Sequence, residues 1–126
     1  FEHLSYADEL LKCRRYYYDY IATGDPANVS MGTLIGWSAT EVDMPVKFPI
    51  PMRGVPTLDQ STGSNYFQIE GGGISTTYVD GNWTLQFATK NGCNLYATPD
   101  SNVTAGYVYH MVVRNTGAKI GFDAEL

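Results

Sequence analysis

The chain has 126 residues and a net charge of −5, and only 17% of its residues are charged. This acidic, sparsely charged composition excludes nucleic acid as the main partner, because phosphate binding needs a basic surface. No stretch approaches the roughly 18 apolar residues of a membrane-spanning helix, so membrane insertion is not expected. Ten Tyr and 13 Gly favour strands joined by tight turns, and the length fits one domain with a single core.

The first predicted element is a short helix that begins after Ser5. Ser5 is a good N-cap, acidic residues follow in the first turn, and Lys12 precedes two arginines at the end, where basic residues match the helix dipole. Leu10 and Cys13 form an inward stripe. This stripe favours Cys13 as a buried free thiol over a disulfide with Cys93.

The rest of the chain is predicted to be strands and turns, from alternation and aromatic density. The predicted strands are Tyr16 to Ile21, Leu34 to Ala39, Val46 to Met52, Tyr66 to Glu70, Ile74 to Val79, Trp83 to Thr89, Tyr107 to Arg114 and Lys119 to Ala124. Turns are predicted at Gly24 to Asn28 and at Asn91-Gly92, and a polar loop at Thr57 to Asn65. Asp80-Gly81-Asn82 predicts a hairpin between its flanking strands. About eight strands and one short N-terminal helix indicate an all-β fold, an antiparallel β-sandwich of jelly-roll type.

The strand Val46 to Met52 carries an unusual pattern of prolines. Apolar residues at every second position alternate with Lys47, Pro49, Pro51 and Arg53. Proline cannot donate a hydrogen bond to a neighbouring strand, so it is tolerated mainly at a sheet edge or a bulge. The segment is therefore predicted to run along an edge or to bend there.

Residues suited to catalysis or metal binding are scarce. The two histidines are His3 at the terminus and His110 in a strand. A His110–Cys13 nucleophilic pair is one interpretation, but a single His on a strand face is more often structural. The acids are scattered singly, so neither a metal cage nor a cofactor is expected, although a single loop calcium at Asp80 or Asp100 stays open. The chain is expected to be non-enzymatic.

Two turns combine an aromatic ring with short polar side chains, as a glycan site requires. Trp83 begins an alternating face with Leu85 and Phe87, which favours a core position, so Tyr96 is the better platform for a sugar ring. Asn94 lies beside it. The candidate glycan-binding residues are Tyr96, Asn94, Asn91, Asp80, Asn82 and Trp83.

Several sequence blocks occur in an order that is familiar from one class of proteins. The blocks are Glu9-Leu10, Cys13 to Tyr17, Ser38 to Thr40, Val46 to Arg53, Pro56-Thr57 and Asp123 to Leu126. They follow the pattern EL-x-x-C-x-RYY, then FPV-x-MR-x-x-PT, then a DAEL-like ending. The chain thereby resembles the C-terminal domain of many tailed-bacteriophage virion proteins, such as tail fibres and tailspikes. It departs from the pattern at Arg14, where Gln is common, and at Ile50, where Val is common.

The resemblance implies that the chain is the C-terminal part of a longer virion protein, located at the distal end of an appendage and extracellular when it functions. It also implies a homotrimer, with a host-surface glycan or another receptor as partner. Glu9, Arg15 and Arg53 are charged residues within otherwise apolar blocks. They are either paired with one another, including across subunits, or simply reach solvent.

Two other functions compete with glycan attachment. The chain could be a purely structural trimerisation or capping domain, or the carbohydrate-binding module of a secreted enzyme. The mass in solution separates a trimeric appendage from a monomeric module. A glycan array separates receptor binding from a structural role.

Overall fold

A computed structural model describes residues 5–22, 28–71 and 76–125, with the backbone alone at Met31. Of the turn predicted at Gly24 to Asn28, only Asn28 is described, and it has a positive φ of 66°. His3 and the start of the predicted strand Ile74 to Val79 lie outside the described residues.

The described residues form one helix and ten strands. They are α1 Tyr6–Arg14, β1 Tyr17–Ile21, β2 Val29–Ser38, β3 Glu41–Lys47, β4 Thr57–Gln60, β5 Phe67–Gly71, β6 Thr77–Val79, β7 Thr84–Gln86, β8 Gly92–Ala97, β9 Val108–Val113 and β10 Ile120–Asp123. The prediction of an all-β sandwich with one short helix is confirmed. The sequence pattern missed β8 and assigned the β4 residues to a polar loop.

The strands build two antiparallel sheets, one with the order β1-β10-β4 and one with the order β6-β5-β9-β2-β3-β8-β7. β6 and β7 are the opposite edges of the larger sheet, yet only residues 80–83 join them. That connection spans at most about 19 Å. Seven flat strands would place the edges about 29 Å apart. The larger sheet therefore curls until its edges approach each other, and the smaller sheet packs against it.

The predicted hairpin around Asp80-Gly81-Asn82 is wrong. β6 pairs with β5 and β7 pairs with β8, so the flanking strands are not partners. The local conformation nevertheless suits the residues, because Gly81 and Asn82 have positive φ angles of 95° and 57°. The turn connects the two sheet edges instead of a hairpin, since strand pairing depends on distant partners that a tight turn does not specify.

The side chain of Gln60 links the two sheets by hydrogen bonds between β4 and the residue before β7. Its Nε2 donates to the Trp83 carbonyl at 2.9 Å, and its Oε1 accepts from the Trp83 amide at 2.9 Å. The two bonds mimic a strand pair. They join the smaller sheet to one edge of the larger one.

The alternation predicted for Val46 to Met52 is found in the burial of its side chains, but the strand ends earlier. Val46, Phe48 and Met52 are buried in the core. β3 ends at Lys47 because Pro49 and Pro51 cannot donate to a neighbouring strand. β3 lies between β2 and β8, and its pairing with β2 stops at Asp43. Val46 and Lys47 therefore pair with β8 alone, and the chain bends at Pro49 and Ile50, so the predicted edge and bend are found in this segment.

The core joins the two sheets through aromatic rings. Phe48 follows β3, and its ring centroid lies 4.9 Å from that of Phe122 on β10. Tyr18 on β1 stacks on Phe122 at 6.4 Å. The apolar face predicted for the strand Tyr107 to Arg114 is also buried at Tyr109, Met111 and Val113.

The helix α1 lies outside this core. Ser5 caps it as predicted, since its Oγ accepts from the Asp8 amide at 3.2 Å. None of its residues is buried, and Cys13 is an exposed free thiol, so the prediction of a buried Cys13 is wrong. The helix packs beside β1, and this contact leaves its apolar stripe exposed. No helix in the described ranges is long and apolar enough to cross a membrane.

Candidate functional site

The most exposed aromatic rings on the strands and their turns border a cleft on the outer face of the larger sheet. The cleft has a volume of about 500 Å³ and lies over β2, β3, β8 and the end of β7. Trp37 on β2 and Phe87 just after β7 stand at its border, with 71% and 79% of their surfaces exposed. Tyr96 on β8 also lines it.

Alternation along β2 directs Trp37 outward. Leu34 is buried, and the outward positions are filled by Ile35 and Trp37. Gly36 between them faces the turn before β9, where a Cβ would collide with the Thr104 carbonyl oxygen. Backbone hydrogen bonds join Gly36 to Gly106 and Tyr107. This part of β2 is thereby held in place, and its outward side chains with it.

Phe87 owes its exposure to an unusual backbone conformation. The alternation that buries Trp83 and leaves Leu85 packed against the core predicts Phe87 on the same inward face. Its φ of 52° lies in the left-handed region, which turns the ring outward. Such a conformation costs a bulky residue on the order of 1–2 kcal/mol. The inward prediction for Phe87 is wrong because a positive φ at Phe cannot be inferred from alternation.

Polar side chains form a cross-strand network on the floor of the cleft. Asn94 Nδ2 on β8 donates to Asp43 Oδ2 on β3 at 3.1 Å and to Gln86 Oε1 on β7 at 3.2 Å. The other carboxylate oxygen of Asp43, Oδ1, is buried and has no hydrogen-bond partner within the described chain. The floor therefore presents amide and carboxyl groups between aromatic walls.

Glu41 lies beside Asp43 on the same face of β3. Burial first, then the neighbouring carboxyl group of Asp43, raises the pKa of Glu41. No Lys, Arg or His of the described residues lines the cleft. Within the part of the chain that the structure describes, the two carboxyl groups thus have no positively charged partner.

The structure separates the residues that were predicted to bind glycan. Tyr96 and Asn94 line the cleft together. Asn91 lies outside it, in the turn before β8, where its carbonyl accepts from the Phe48 amide at 2.9 Å. Asp80 and Asn82 line a second cavity of about 260 Å³, away from the cleft residues.

Trp83 is wrongly included among the binding residues. Only 3% of its surface is exposed, and its ring meets that of Phe67 edge-on at a centroid distance of 5.7 Å. A ring buried in this way cannot stack on a ligand. Sequence reasoning missed Trp37, Phe87, Glu41 and Asp43, although the predicted strand Leu34 to Ala39 already places Trp37 and Ile35 on one face.

Of the three charged residues considered for pairing across subunits, Arg15 and Arg53 lie close together. The Arg53 amide donates to the Arg15 carbonyl at 2.8 Å, and the Arg53 guanidinium lies 5.2 Å from the centre of the Tyr16 ring. Glu9 forms no ion pair with either arginine among the described residues. Pairing across subunits stays a prediction.

Another cavity, of about 530 Å³, lies beside β1 and β4, but three of the polar side chains that line it already bind one another. Asp59 Oδ2 accepts from Tyr17 Oη at 2.9 Å and from Lys119 Nζ at 2.8 Å. Burial and the bond to Asp59 raise the pKa of Tyr17 to about 12. Lys119 also covers the Tyr17 ring. This cluster stabilises the smaller sheet, so the aromatic cleft is the better candidate site.

The residues considered for catalysis and metal binding are not assembled. His110 Nε2 contacts Glu70 Oε2 at 3.1 Å instead of a cysteine. Burial raises the pKa of Cys93 to about 11, which makes it a poor nucleophile. Asp80 and Asp100 line the second cavity. Throughout the described residues, no group of three or more His, Cys, Asp or Glu could hold a metal ion.

Comparison of the chain with models of protein families, with curated proteins and with solved structures found no match.

Proposed function

We propose that this chain is a non-enzymatic glycan-binding domain whose ligand occupies the aromatic cleft. The observation that carries the proposal is the pair of exposed rings, Trp37 and Phe87, on either side of hydrogen-bonding groups. Pyranose rings have apolar C–H faces and polar rims. Aromatic walls suit the faces, and the amides of Asn94 and Gln86 suit the rims.

We further propose that the domain belongs to a virion appendage of a tailed phage and attaches it to the host surface. Four of the six sequence blocks that carry the resemblance contact one another. Arg53 contacts Arg15 and Tyr16, and the Ala124 amide donates to the Tyr16 carbonyl at 2.7 Å. Thr57 Oγ1 donates to the Asp123 carbonyl at 3.3 Å. These four blocks build a common scaffold, and all of the residues that line the cleft lie outside the blocks.

Trimer formation is the second part of the proposal, and α1 is its best candidate contact. Tyr6, Leu10 and Leu11 are exposed on this helix. The segment Val46 to Met52, whose prolines could also mark a subunit contact, is less suitable because most of its apolar side chains fill the chain's own core. Three copies on one fibre would convert weak single-site binding into firm attachment.

We expect light scattering at micromolar concentration to give three times the 13.9 kDa of one chain. Replacing Leu10 and Leu11 with Ser should shift the mass to that of the monomer, because it removes the apolar surface. Val55→Ser, at another exposed apolar residue, is the matched control and should leave the trimer intact. A wild-type chain that stays monomeric would contradict the trimer.

The glycan proposal is tested with an array of bacterial surface polysaccharides. The wild-type chain should bind a subset of them without releasing products. The double variant Tyr96→Ala/Asn94→Ala should lose at least about tenfold in affinity, because it removes a ring and the amide that organises the cleft floor. The control variant Tyr107→Ala/Asn102→Ala, outside the cleft, should bind normally. Binding to no glycan would support the structural alternative instead.

A further inference from the structure

The cleft contains two carboxyl groups whose negative charge a neutral sugar does not balance. Glu41 and Asp43 occupy successive outward positions of β3 and both line the cleft. The ion pairs in the described chain are His110 with Glu70 and Lys119 with Asp59, so neither cleft carboxyl has a cation. Two adjacent carboxylates without one repel each other.

The hydrogen bonds of Asp43 also leave a negatively charged group without a partner. Asn94 satisfies Oδ2, but Oδ1 is buried and unpaired. A buried carboxylate oxygen without a partner is costly, and a nearby positive charge would offset that cost. The exposed faces of Trp37 and Phe87 also attract cations, because the face of an aromatic ring is negative. Both features favour a ligand with a positive charge.

We propose that the glycan bound in this cleft carries a protonated primary amine, as in an amino sugar without its acetyl group. The inference rests on the glycan-binding function proposed above. The ammonium lies against Glu41 and Asp43, and neighbouring sugar rings of the glycan pack against Trp37 and Phe87. An ammonium group has three donors that two carboxyl groups can share. A calcium ion would require six or more oxygen ligands, more than two carboxyl groups between aromatic rings supply.

The test compares the trisaccharide of glucosamine, whose amines are free and positively charged when protonated, with its fully N-acetylated counterpart, whose acetyl groups remove that charge. Affinities are measured by titration calorimetry on the full chain in about 0.15 M NaCl. The salt suppresses non-specific attraction of the positively charged sugar to the acidic protein. The amine form should bind at least about tenfold more tightly. Asp43→Asn should reduce this ratio to within about twofold, because Asn keeps the oxygen that accepts from Asn94 but removes the charge.

Asp100→Asn is the matched control, since it removes the same charge outside the cleft. It should leave the ratio unchanged. Equal affinity for the two trisaccharides would overturn the inference, and so would an equal effect of the two variants. If neutral glycans bind in a way that depends on Trp37 and the amine form is not preferred, the amine inference is overturned but the proposed glycan binding stands. Absence of all glycan binding would overturn the proposed function as well.

Discussion

Phe122→Ala is expected to lower the free energy of unfolding by about 3–5 kcal/mol, the range for deletion of a large buried ring. Phe122 is fully buried, contacts Phe48 at 4.9 Å and stacks on Tyr18. Its removal leaves a cavity where the smaller sheet meets the segment that follows β3. Urea denaturation followed by tyrosine and tryptophan fluorescence would measure the loss.

The matched control for this prediction is Phe87→Ala, which removes the same ring from an exposed position. It should change the free energy of unfolding by no more than about 0.5 kcal/mol. A loss below about 1 kcal/mol for Phe122→Ala would show that the two sheets do not depend on this aromatic contact. A large loss for Phe87→Ala would show that its ring packs against the protein instead of facing a ligand.

Trp37→Ala is expected to weaken glycan binding at least about 30-fold, the size of a hot-spot residue. The ring is the largest aromatic surface in the cleft, and most of it is exposed. Because the ring does not contribute to the core, the melting temperature should stay within a few degrees. Affinity for the best glycan on the array, measured by calorimetry, is the readout.

Trp37→Tyr is the graded control. A tyrosine ring still offers a flat face, so this variant should retain affinity within about fivefold of the wild type. Val108→Ala removes an exposed apolar side chain from the adjacent strand and should bind normally. Unchanged affinity in Trp37→Ala would move the ligand away from the cleft.

Local patterns predicted the core better than they predicted the strand partners. Alternation identified the buried side of Val46 to Met52 and of β9, because burial repeats with the pleat of a strand. The partners of β6 and β7 were predicted wrongly, since each pairs with a strand that its adjoining turn does not specify. The helix was located correctly, but no local signal shows whether its stripe is covered.

The candidate site was predicted only in part, for a related reason. A turn predicts Tyr96 and Asn94, yet the cleft is made by two pairs of consecutive strands, β2-β3 and β7-β8, and the two pairs are distant from each other in sequence. Trp37 was accessible to the same reasoning, since its outward neighbour is Ile35. Phe87 was not, because its left-handed backbone reverses the face that alternation assigns to it.

The two faces of the curled sheet give the molecule separable properties. Along β2, Leu34 is buried in the core, while Ile35 and Trp37 lie in the cleft. Substitutions on opposite faces share few contacts, so their effects on folding and on ligand choice should add. The outward positions of β2, β3 and β8 can therefore be exchanged as a set without redesigning the interior. Such a surface can acquire a new specificity through side chains alone, at little cost to the sandwich beneath it.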